Sequence, residues 1–324
     1  MQIMRLSSLL FFLIFTLSCS TNSVYKNNII FDVEYLSSDE LEGRSTGSKG
    51  EELAANYIEK RFKELNVEPI GENGYFQEFS FKQKSHPHDT ISTSDSIQEN
   101  SITGKNVIGF IDNKSINTIV VGAHYDHLGF GGEGSLYRSD SLKIHNGADD
   151  NASGVSLMLD LAAKLKDNNN NNYMFIAFSG EELGLLGSNF FVKNPTIDIK
   201  SINYMINMDM VGRLNNENTL AVYGLGTSPI FKQTIKSNNK NFKIIENESG
   251  VGPSDHTSFY LNDIPVLHFF TGQHSDYHKP SDDSELLNYE GINLISDFIY
   301  SIISDLNDNG KLPFRETKNE SQET

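Results

Sequence analysis

The chain alternates short, wholly apolar runs with amphipathic stretches of helical period, and the apolar runs end in His, Asp or Glu. A run buried on both faces needs helices on each side. This alternation therefore predicts an α/β fold with a mixed, mostly parallel central sheet flanked by helices. The strand-like runs are Val107–Ile111, Ile119–Val121, Tyr173–Phe178, Tyr204–Met208, Thr219–Tyr223 and Pro265–Phe270. Helical stripes fall on Leu53, Tyr57, Ile58, Phe62 and Leu65; on Val155, Met158, Leu159, Ala162 and Leu165; and on Ile292, Ile295, Phe298, Ile299, Ile302, Ile303 and Leu306. No linker separates two apolar blocks after residue 25, which predicts one large domain. Lys84–Ser101 lacks periodicity and reads as a mobile loop, and the five asparagines Asn168–Asn172 read as a surface turn.

Charge removes some classes of function. The 26 Lys and Arg stand against 43 Asp and Glu, a formal net charge of −17. Nucleic-acid binding calls for a basic face, so it is not expected. Near the N-terminus, Arg5 precedes the run Leu9–Phe15, which is shorter than the roughly 20 residues that span a bilayer. It fits the core of a signal peptide over residues 1–18, with Cys19, the sole cysteine, as the lipidated first residue of the exported protein. Residues 19–30 then read as a tether, 31–306 as the folded domain and 307–324 as a polar, fraying tail. The expected location is the cell envelope, held by the lipid at Cys19; cleavage nearby without lipidation would give a soluble secreted protein.

Five segments put chemistry-bearing residues at predicted strand ends, where open α/β sheets build their sites. Val121–Asp126 runs into His124, with Asp126 placed to hold the second imidazole nitrogen. Asn146–Gly154 presents Asp149 and Asp150 among small residues at a helix entrance. Phe175–Gly184 delivers Glu181 and Glu182, neighbours that point apart and so can do different work. Ile206–Gly212 carries Asp209 in an apolar run, where an unpartnered carboxylate is costly. His274–Asp283 offers His278, with His274 as competitor, the Tyr277 hydroxyl, and Asp282 or Asp283 as acceptor. Two histidines and three carboxylates make a mixed N/O donor set suited to Zn²⁺. One carboxylate bridging two ions, with two further ligands each, uses all five, as in two-metal hydrolytic sites. Arg213 is a candidate for a substrate carboxylate or an ordinary ion pair, and His145 and His256 read as structural.

In this order, with Leu36-Ser-Ser-Asp-Glu-Leu-Glu-Gly-Arg44 upstream, the motifs resemble the co-catalytic zinc exopeptidases, the family of aminopeptidase Y, bacterial leucyl-type aminopeptidases and glutamate carboxypeptidase. The resemblance implies a single exopeptidase domain, here without a large protease-associated insertion, acting on peptide substrates with two zinc ions per chain. It implies Asp150 as the bridge, with a cis bond to Asn151, and Glu182 with His278 at one ion. His124 with Asp209 would serve the other. Glu181 would be the general base to a water between the ions, Asp126 would orient His124, and Tyr277 would steady the oxyanion. Removal of the N-terminal residue is the activity expected. Carboxypeptidase, dipeptidase or glutaminyl cyclase chemistry on the same fold is the alternative, the last disfavoured by the absence of Trp. A silent binding lipoprotein is the reading from a different class.

Overall fold

A computed structural model describes residues 21–82, 91–96, 101–139 and 141–317. Its helices are α1 (Thr21–Leu36), α2 (Lys49–Glu64), α3 (Gly154–Leu165), α4 (Leu186–Lys193), α5 (Phe231–Asn238), α6 (His256–Tyr260) and α7 (Tyr289–Leu306). Its strands are β1 (Glu68–Pro69), β2 (Phe76–Phe81), β3 (Thr93–Ser94), β4 (Ile102–Ile111), β5 (Thr118–His124), β6 (Asn172–Phe178), β7 (Ile202–Met208), β8 (Thr219–Tyr223), β9 (Lys243–Glu246) and β10 (Val266–Phe270). All ten join one mixed sheet in the order β3-β2-β4-β6-β5-β7-β10-β8-β9, with β1 beside β4.

The four central strands β6, β5, β7 and β10 run parallel. β4 and β2 extend the sheet antiparallel on one side, and β8 turns antiparallel on the other. Parallel register carries the C-terminal ends of β5, β6 and β7 to one edge, with His124 opposite Phe178 and Gly122 opposite Asn207. β5, β6 and β7 are buried along their whole length, which is why they read as unbroken apolar runs. α3 and α7 cover one face: Ile292, Ile295, Ile299, Ile302 and Ile303 of α7 are fully buried in the same core as Val155, Met158 and Leu161 of α3. Each such side chain contributes about 1.5–3 kcal/mol on leaving water.

Four expectations are corrected. The asparagine run is not wholly a surface turn: Asn171 and Asn172 are buried, and Asn172 opens β6. The Asn172 amide accepts from the backbone N–H of Asn113 (2.9 Å) and Ser115 (3.1 Å) and donates to Ser115 O (2.8 Å), satisfying a loop that would otherwise be unpaired. The stretch read as tether is helical from Thr21, and Ile29 is buried, since α1 packs on α3. The tail is docked as far as Thr317: Leu312 is buried, and Thr317 N donates to the Tyr260 hydroxyl (2.9 Å). Part of the loop 84–101 pairs with the sheet as β3, and Cys19 and the signal segment lie outside the described residues. No described helix is long and apolar enough to cross a membrane.

Candidate metal centre

The site gathers at the strand ends. β5 ends on His124, β6 is followed by Glu181 and Glu182, and β7 by Asp209. Asp150 arrives on the wound turn Ala148–Ser153 that feeds α3, and His278 on the loop after β10. Met210 and His278 hold positive φ (52° and 54°), a left-handed conformation that non-glycine residues adopt at a cost and that here flanks or carries a site residue.

The five expected ligands converge. Asp150 Oδ1 stands 3.2 Å from His124 Nε2, which is 3.4 Å from Asp209 Oδ1. Asp150 Oδ2 stands 3.2 Å from His278 Nε2, which is 3.3 Å from Glu182 Oε2. Two donor groups therefore share one carboxylate, one group on each of its oxygens. Donor atoms bound tetrahedrally at zinc distances would lie about 3.3–3.4 Å apart. The spacing and the N/O donors fit a pair of such ions. The Asp150–Asn151 peptide is cis.

The neighbouring polar residues are engaged elsewhere. Asp149 is not at the centre: Oδ1 accepts from Gly212 N (2.6 Å) and Ser153 Oγ (3.1 Å), and Oδ2 faces His274 Nε2 at 3.2 Å. His274 is thereby engaged away from the ligands. Arg213 pairs with Asp276 (2.6 Å). His145 is held by Ser135 and the Lys143 carbonyl, and His256 stacks on His268 at 4.4 Å, both buried as structural residues. Glu181, Glu182, Asp209, Tyr277 and His278 line one cavity with Asp150, Met210, Tyr223 and Phe270.

Asp126 faces His124 as expected and does further work, whereas Asp282 differs from expectation. The Asp126 carboxylate lies 3.7 Å from His124 Nδ1, while the Asp126 carbonyl oxygen is nearer, at 3.2 Å. The carboxylate itself accepts from Glu181 N (3.1 Å) and Thr46 Oγ1 (3.0 Å), so it positions the segment carrying the two glutamates. Asp282 does not accept from His278, whose Nδ1 faces Gly134 O at 2.8 Å. Its Oδ2 takes the N–H groups of Asp149 (2.9 Å) and Asp150 (3.1 Å), fixing the bridging loop from behind.

Protonation follows burial and neighbours. Burial pushes the Glu181 carboxyl well above its ordinary range, against the pull of His124 and with the push of Asp209 and Glu182. Burial also acts on Asp150, yet hydrogen bonds from His124 and His278 outweigh it and hold Asp150 well below the usual range.

Three contributors were not foreseen. His127 Nδ1 is 2.7 Å from Glu182 Oε1, although its only outward sign was its place after His-Tyr-Asp. Arg44, fully buried, donates to the carbonyls of Tyr125 (2.8 Å), Leu36, Asn146 (2.7 Å) and Gly147 (3.1 Å), tying the His124 strand end to the Asp150 loop. Asp255 is buried, and burial pushes it up to about 7. Arg44 closes the Leu36–Arg44 segment that carries part of the resemblance, but nothing in the sequence there assigns it this role.

A family model described as peptidase family M28 matches residues 106–303, more than half of the chain. The chain belongs to that family. Among its relatives, aminopeptidase YwaD of Bacillus subtilis (strain 168) is 30% identical over 216 residues, covering 62% of this chain and 44% of YwaD. BSAP, a zinc aminopeptidase from Bacillus subtilis, superposes with a TM-score of 0.66 at 18% identity, covering 89% of this chain and 95% of BSAP. Glutaminyl cyclase from Porphyromonas gingivalis superposes at 0.69 with 16% identity, covering 86% and 98%. At these identities both superpositions speak to the fold alone. The chain spans about half the length of the curated relatives it matches.

Proposed function

We propose that this M28 chain is a zinc-dependent aminopeptidase that removes the N-terminal residue of peptides. One observation carries the reading: the two oxygens of Asp150 face separate donor groups, His124 with Asp209 and Glu182 with His278. Those groups would each hold one zinc ion, and zinc bound there acidifies water and polarises a carbonyl. Glu181 lines the same cavity and takes no part in the contacts that define the two donor groups. It would take a proton from the attacking water and return it to the leaving amine. Tyr277, its ring stacked on His278 at 3.8 Å, would donate to the oxyanion that develops. The apolar part of the cavity, Met210, Tyr223 and Phe270, would receive an apolar terminal side chain. The name of aminopeptidase YwaD agrees with this reaction. The fold shared with glutaminyl cyclase keeps ring closure of an N-terminal glutamine as the competitor.

Zinc quantification with a substrate panel tests the proposal. Two zinc ions per chain and turnover of unblocked, but not N-acetylated, aminoacyl amides are expected. Cyclisation of a glutaminyl peptide without amide hydrolysis would select the competitor. Glu181→Gln should keep both ions and lose about 10²-fold or more in kcat. A variant that keeps most of its turnover removes Glu181 from the role.

We further propose export and lipid attachment at Cys19, supported by the apolar run before it. Cys19→Ser should shift the protein from the membrane to the soluble envelope fraction. An unchanged distribution refutes the anchor.

A further inference from the structure

We propose that His127 is a positioning residue that makes Glu182 present a single oxygen, Oε2, to the ion shared with Asp150 and His278. The inference deepens the two-zinc reading and rests on it. Glu182 divides its oxygens: Oε2 faces His278 Nε2 at 3.3 Å, whereas Oε1 is 2.7 Å from His127 Nδ1. The shorter spacing is that of a charge-assisted hydrogen bond. It is tighter than the roughly 3.3 Å expected between two ligands of one tetrahedral ion. His127 Nδ1 is also 4.0 Å from Asp150 Oδ2, against 3.2 Å for His278 Nε2. His278 therefore occupies the ligand position, and His127 stands behind Glu182.

The tautomer agrees. His127 Nε2 is buried with no hydrogen-bond partner among the described residues. With the proton on Nδ1, it is donated to the carboxylate and only an acceptor lone pair is left bare. With the proton on Nε2, an unpaired donor would be buried and two lone pairs would face one another, which costs more. The ring is wedged as well as bonded. A Cβ on Gly147, at φ +55°, would stand 2.5 Å from His127 Cδ2 and 2.6 Å from Cγ, so the backbone leading to Asp150 lies against the imidazole. One side chain thus sets the Glu182 carboxylate and abuts the bridging loop. Held by one oxygen, Glu182 leaves coordination positions for water and substrate, whereas a chelating carboxylate would occupy one of them.

Two substitutions separate donation from packing. His127→Phe keeps a ring against Gly147 and removes the donor. His127→Asn loses the ring but can donate from its amide near the same place. Zinc affinities of the full chain are read by competition with a chromophoric chelator, beside the thermal melt of the zinc-free protein. His127→Phe should weaken one of two ions by about 10–100-fold, the scale of losing a hydrogen bond to a metal ligand, and leave the other unchanged. His127→Asn should restore that affinity to within a few-fold. Equal losses in both variants would make His127 a ligand, and a loss confined to His127→Asn would make it packing. Failure of both to fold would likewise assign it a structural role, and wild-type affinity in His127→Phe would deny it any role; each overturns the proposal. If the wild-type chain binds no zinc, it is the metal reading that falls.

Discussion

Asp150 is where the two donor groups join, so its removal should act on both. Asp150→Ala is expected to lose bound zinc and activity together, and an Asp150→Ala chain with two zinc ions would refute the bridge. Glu51 supports a different prediction. It is fully buried on α2, bonded to Ser179 Oγ and Gly47 N, and burial pushes its carboxyl up to about 8 from 4.5. Between those values the unfolded chain releases the proton while the folded chain keeps it, so this group lowers stability as pH rises from about 4.5 to 8. Glu51→Gln keeps an acceptor and a donor without the charge. Its melting temperature should gain on wild type between pH 5 and pH 8.5 by a few degrees, about 1 kcal/mol or more. Parallel pH profiles would show that Glu51 ionises freely. At this scale His124, Glu182 and Asp209 were legible because each follows an apolar strand run, and Asp150 and His278 through the small-residue turn and the Tyr-His pair that carry them. His127 was not, because its partner Glu182 lies 55 residues on, and only the β5–β6 register brings them together. Asp126 faces His124 as expected, and its carboxylate has a second partner in the Glu181 N–H, which local sequence did not reveal.

Elements with one strong period declared themselves, and elements made by context did not. α3 and α7 follow the helical period, and β5, β6 and β7 are buried on both faces, so all five appear in the residue pattern. β2 mixes polar and aromatic residues because it lies toward an edge, where α4 packs Phe190 against Phe79 at 5.4 Å. Its stabilisation comes from that distant contact, which no local window contains. α1 likewise forms against α3 and is pinned by Asp32 to Arg61 at 2.7 Å. The α3–α7 layer backs the turn that carries Asp150, so its packing bears on the site. Ile299→Ala, in the fully buried centre of α7, should cost about 2–5 kcal/mol through lost burial and a residual cavity, read by chemical denaturation. A cost below about 1 kcal/mol would mean that the layer closes over the gap.

Seen as one body, the chain concentrates acids where the sheet ends. Asp126, Asp149, Asp150, Asp255 and Asp282 are all buried there with Glu181, Glu182 and Asp209 close by, and the one fully buried arginine of that region, Arg44, spends its hydrogen bonds on carbonyls. A concentration of carboxylates of this kind opposes folding unless cations or protons offset it. The residues facing Asp150 come from positions 124, 182, 209 and 278, so ions held by them would link β5, β6, β7 and the loop after β10. Binding to the folded state alone stabilises by mass action, about 2.7 kcal/mol when free zinc is a hundred times its dissociation constant. Chelation of zinc should therefore lower the melting temperature by about 5 °C or more, and readdition should restore it. The same treatment should leave Asp150→Ala unmoved, because its donor groups no longer share a carboxylate. If chelation shifts both proteins equally, the stabilising ion sits elsewhere. If it shifts neither, the acids at the sheet ends are balanced by protons and not by metal.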